Sequence, residues 1–136
     1  MKRLLIACSM AASGVASTLH VSAHHSFTAE YDLKKPISMT GTVTSVEWQN
    51  PHTWFYIDVK DERGNVQNWG MEMGSPNLLV RSGWNRDSLK VGDVVTVEGF
   101  RSKDGTSNGN AQTVTLTNTG QRLFAASSQA AATQNR

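Results

Sequence analysis

Two histidines, His24 and His25, stand directly behind Val21-Ser22-Ala23, a run with small residues where signal peptidase reads them. Cleavage after Ala23 leaves a histidine as the first residue, with its free amine and its ring nitrogen side by side. Those two nitrogens chelate one divalent ion, and an imidazole from elsewhere in the chain completes a three-nitrogen plane. That geometry suits Cu(II), which prefers tetragonal nitrogen sites and heads the affinity order of the first-row divalent ions. The third imidazole is His52, in the turn Asn50-Pro51-His52, because His20 departs with the leader. In an extended chain His24 and His25 point to opposite sides, so one ligates while the other packs. If Ala23 is retained, His25 becomes the third residue, and amine, two amides and imidazole bind copper without His52. The competing reading makes the pair a polar flank and His52 a turn residue bonded to backbone. Zinc fits less well, since a closed zinc site takes four ligands, commonly thiolates.

The remaining chemistry is sparse. Trp54 and Tyr56 fall on one face of a strand and offer rings for a ligand to stack on. The plainer reading is that they cover the surface or pack beneath the N-terminal segment. Met71 and Met73 are soft ligands for Cu(I) or, more simply, core filler. Glu47, Asp58 and Glu72 lie on strands at no spacing that implies acid–base work. Asp93 follows Gly92, where a carboxylate makes a turn hydrogen bond. Nucleophile elbow, phosphate-binding glycine loop and HExxH helix are all missing from the sequence. The expectation is a binding protein and not an enzyme.

Composition sets the compartment and the partners. Lys2 and Arg3 open an apolar run from Leu4 to about Val15, so residues 1–23 read as a secretory signal and the destination as the periplasm. The run is shorter than the ~20 apolar residues a membrane span needs. Leu5-Ile6-Ala7-Cys8 resembles a lipoprotein box, but too little chain precedes Cys8 to engage the export machinery. Cys8, the one cysteine, leaves with the leader, which removes any disulfide or thiolate ligand. Lys2 and Arg3 are two of the thirteen basic residues, so the remainder balance the eleven acidic ones. A neutral domain has no electrostatic footprint for nucleic acid. The partners expected are a metal ion, a small ligand or another periplasmic protein.

The elements that must position these residues are strands. Residues 24–36 form a polar lead-in, and Ile37 to Trp48 reads as a long strand. Ile37, Met39 and Val43 share one parity and Val46 and Trp48 the other, which places a bulge near Thr44-Ser45. Thr53 to Lys60 puts Phe55, Ile57 and Val59 on one face, and Val66 to Met73 puts Trp69, Met71 and Met73 on one side. Ser75 to Gly83 carries the signals of a short helix: N-cap serine, proline at its first position, terminal glycine. Val94 to Phe100 and a segment with Val114 and Leu116 supply two more strands, separated by a polar loop over 102–110. Leu123 and Phe124 close one end. Residues 125–136 read as a disordered tail. The sum is an all-β domain with one short helix, a five-stranded OB-fold-like barrel over 37–124.

His24-His25-Ser26-Phe27, Gly41-Thr42-Val43, Trp48-Gln49-Asn50-Pro51-His52, Trp69 with Glu72, Ser75-Pro76, Gly83-Trp84 and Leu89-Lys90-Val91-Gly92-Asp93 together resemble the DUF6152 family of small exported proteins. That resemblance implies an exported β domain in which the HHS and NPH segments belong to one design. It implies no activity. Two functional expectations follow: copper binding through His24, His25 and His52, or a metal-free ligand or interaction module built on Trp54, Tyr56 and the 102–110 loop.

Overall fold

A computed structural model describes residues 27–127, 130 and 131. Among them the chain forms a mostly antiparallel sheet of six strands, with short helices. The elements run α1 (Phe27–Glu30), β1 (Tyr31–Glu47), β2 (Trp54–Lys60), β3 (Val66–Glu72), α2 (Pro76–Arg81), β4 (Val94–Ser102), β5 (Asn108–Leu116) and β6 (Arg122–Phe124). No helix among the described residues is long and apolar enough to cross a membrane.

β1 organises the sheet. Its first part pairs with β4 and its last part with β2, both antiparallel, and at Thr42 it touches both partners. The register on β2 shifts between Val43 and Ser45, the bulge that the parity change at Thr44-Ser45 requires. Gly41 lies close against the backbone of β2. A Cβ there would sit 2.7 Å from the carbonyl oxygen of Asp58, so a side chain has no room. β3 pairs with β2 along its length and, in parallel, with β5 from Gly70↔Asn108 to Glu72↔Asn110. β5 pairs with β4, and β6 is added to β5.

Alternation decides what goes inside. Phe55 and Ile57 of β2, Met71 of β3, Val95 and Val97 of β4 and Val114 of β5 are fully buried in one cluster with Val43, Met73 and Leu79. α2 begins as its residues dictate: Ser75 is extended, its hydroxyl accepts from the Leu78 N–H at 3.4 Å, and Pro76 follows where no N–H is needed. Gly83, at φ +95°, ends the turn. Trp84 is then buried, and its indole N–H donates to the Phe124 carbonyl at 2.8 Å, tying α2 to β6. The soft-ligand reading of Met71 and Met73 is corrected here, since both are sealed in the core.

Three expectations about the chain differ from the structure. The lead-in is ordered from Phe27 onward, as α1 and then as the first six residues of β1. Among the described residues there are six strands rather than five, because Arg122–Phe124 pairs with Thr113–Thr115, and α1 is a helix besides α2. The segment expected to be a disordered tail contains Ala125, Ala126, Ser127 and Ala130, all buried. Small side chains there permit close packing. Ala126 and Ala130 form a second cluster with Phe27 and Tyr31, against Phe100. The Phe27 ring lies 5.1 Å from Tyr31 and meets Phe100 edge-on at 6.3 Å.

Candidate functional site

Glu72 is the last residue of β3 and pairs in register with Trp54 on the sheet face opposite Phe55 and Met71. Outward parity ordinarily means solvent, yet Glu72 is only 5% exposed. A buried carboxyl group requires partners, and two side chains supply them. The Tyr31 hydroxyl donates to Oε2. Nδ1 of His52 lies against Oε1.

The local sequence explains how the three converge. Asn50-Pro51, joined by a cis peptide bond, turns the chain ahead of β2. The Thr53 N–H donates to the Gly74 carbonyl at 3.1 Å, and the Met73 N–H to the Thr53 carbonyl at 2.8 Å, which holds His52 beside the end of β3. Tyr31 arrives from the opposite direction, at the start of β1. Its ring is pinned by Phe27 and the two alanines of the C-terminal segment. The same outward row continues through Asn110, in register with Glu72, to Phe100, in register with Asn110. Asn110 is buried, accepts from the Gln112 amide at 2.5 Å, and has no partner for its own Nδ2 among the described residues.

Electrostatics follow from this packing. The hydrogen bond to Glu72 raises the His52 pKa above its ordinary value; burial works against this, and the charges of Glu72 and Glu30 add to it. Burial, then the charge of Glu72 and the bond to it, pushes the Tyr31 phenol well above the usual tyrosine range. With Nδ1 committed to Glu72, Nε2 is the ring's remaining nitrogen. A carboxylate behind a histidine in this way fixes the ring's orientation and increases its basicity as a ligand.

The expected site residues separate into three groups. His52 is half-buried and held by Glu72. Trp54 lines a cleft of about 350 Å³ with Tyr31, Glu72, Ser102, Lys103 and Asn108. Tyr56 lies two residues further along β2, opposite Gly70, with its phenol pKa raised by partial burial and by Glu47. His24 and His25 lie outside the described residues, as does the signal segment. Among the described residues no group of three or more His, Cys, Asp or Glu side chains could hold a metal ion. The partnership of Tyr31 and Glu72 is absent from the sequence reading. Its one trace is a carboxyl group on the outward parity of a strand, opposite a tryptophan.

The model of DUF6152, a family of unknown function, matches residues 11–112. No curated protein matches the chain.

Proposed function

The chain belongs to DUF6152, a family of unknown function, and we propose that it is an exported periplasmic protein that binds copper without catalysing a reaction. The ligands are the amine and ring of an N-terminal histidine, with His52 and, where the chain path requires it, His25. The observation that carries this reading is the hydrogen bond of His52 Nδ1 to buried Glu72, which leaves Nε2 for a metal. Reach supports it as well. Phe27 packs on Tyr31, and Tyr31 shares Glu72 with His52. His24 is three residues before Phe27, and three residues span at most roughly 10 Å.

We read the sheet as an OB-like barrel. Support comes from β1 pairing with both β2 and β4, and from the parallel β3–β5 ladder, which makes the circuit β1-β2-β3-β5-β4 return to β1. In this reading residues 1–23 are removed as a signal peptide.

Native mass spectrometry of the protein from a periplasmic extract, with one equivalent of Cu(II) and a weak competing chelator, tests the copper site. A mass that begins at His24 and retains one copper is expected, with loss of copper in His24→Ala and in His52→Ala. Equal retention by wild type and both variants would end the proposal.

The cleft beside Trp54 favours a second reading, a small-ligand or interaction site that needs no metal. It requires Trp54→Ala to fold normally and to lose the ligand. Copper retention by the same variant separates the two readings.

A further inference from the structure

A second cleft of about 350 Å³ is lined by His52, Ser75, Asn77, Leu78, Arg81 and Ser127. We propose that this cleft binds a small organic carboxylate, with the Arg81 guanidinium as its principal anchor. The proposal goes beyond the copper reading and does not depend on it.

The case rests on an imbalance of donors over acceptors. The Arg81 guanidinium has no ion pair, hydrogen bond or ring contact among the described residues, while Arg122 is paired with Glu98 and Arg86 and Arg101 lie over Trp48 and Trp69. Among the described residues no carboxyl group lines the cleft, and Glu72 lines the other one. The Ser75 hydroxyl oxygen accepts from the Leu78 N–H, and that of Ser127 from the Ala130 N–H at 3.2 Å. Each therefore has its own proton left to give, and neither donates to a group among the described residues. Asn77 and Arg81, four apart on α2, face the same side. α2 has six residues and its first turn is already capped by Ser75, so the attraction comes from side chains and not from the helix end.

Shape and charge narrow the class. One guanidinium fork matches the two oxygens of a carboxylate, whereas a dianionic phosphate would remain under-neutralised with a single full cation. Leu78 offers apolar wall for a short carbon chain, and the volume is at the small end of ligand clefts.

The test is a titration of the full, metal-free, 15N-labelled chain with sodium propionate, a monocarboxylate with a short carbon chain, followed by NMR at ionic strength held constant with sodium chloride. Saturable shifts are expected at Arg81, His52 and Asn77. Arg81→Gln, a change at an exposed position on the last turn of α2, should weaken binding about tenfold or more. Absence of saturable shifts at these residues would overturn the proposal, as would equal binding by Arg81→Gln. Saturation by phosphate with propionate silent would overturn the carboxylate assignment. Copper retention measured on the same two proteins keeps the failures apart, because Arg81→Gln removes no copper ligand.

Discussion

The hydroxyl of Tyr31 and the carboxyl of Glu72 are bonded across 41 residues of chain, and through that bond the beginning of β1 reaches the end of β3. Glu72 is thereby held between the start of β1 and the turn that delivers His52.

Tyr31→Phe keeps the ring against Phe27 and Ala126 and deletes only the hydroxyl. It leaves one oxygen of a buried carboxyl group without its donor. Loss of stability by about 1–3 kcal/mol is expected, read as a lower urea midpoint with an unchanged slope. An unchanged midpoint would mean that solvent already satisfies this oxygen.

Glu72→Gln tests the origin of the raised His52 pKa in metal-free protein. Folding raises that pKa above 6.5, chiefly through the bond to Glu72. A group of this kind contributes stability in full below its unfolded pKa and loses it as pH rises through the folded value. Wild type should therefore lose stability as pH climbs from about 6.5 through the raised value, and Glu72→Gln should flatten that loss. NMR titration of His52 should give a lower pKa in the variant. A pKa unmoved by the substitution would assign the shift to another cause.

Gly99→Ala addresses the sheet itself. A Cβ at residue 99 would stand 1.9 Å from the backbone carbonyl oxygen of Asn110, where β4 and β5 change register. Backbone cannot step aside as a flexible side chain can, so a cost of about 3 kcal/mol or more is expected. Thermal unfolding measures it, and a near-native midpoint would show that the bulge adapts.

Ending the chain after Phe124 removes Ala125, Ala126 and Ala130. Ala125 accepts from the Gly74 N–H at 2.9 Å and donates to the Gln112 carbonyl at 2.8 Å, so the cut breaks backbone bonds as well as packing. Faster hydrogen exchange at Phe27 to Tyr31 is expected, together with a lower melting temperature. Protection equal to that of the full chain would make the C-terminal segment dispensable.

Much of the sheet is legible in the residues because alternation and turn chemistry act locally. The parity change at Thr44-Ser45 requires the observed bulge. Ser75-Pro76 and Gly83 bound α2, and Asp93 accepts from the Lys90 N–H at 2.8 Å, the turn bond expected of it. What escapes the sequence is long-range. Tyr31 to Pro36 reads as a polar lead-in since Lys34, Lys35 and Pro36 are exposed, yet β4 pairs with its ends. The alanines after Phe124 resemble a disordered composition, but small side chains are what a tight covering layer requires. Glu72 has no local feature that sets it apart from Glu47. Its partners come from positions 31 and 52, and only the folded chain brings them together.

Phe27 and Ala130 belong to one small cluster, so segments from both ends of the described chain share a single covering over Tyr31. Lifting the alanines away uncovers the Tyr31–Glu72 pair while the ladder from β1 to β5 stays paired, an opening smaller than global unfolding.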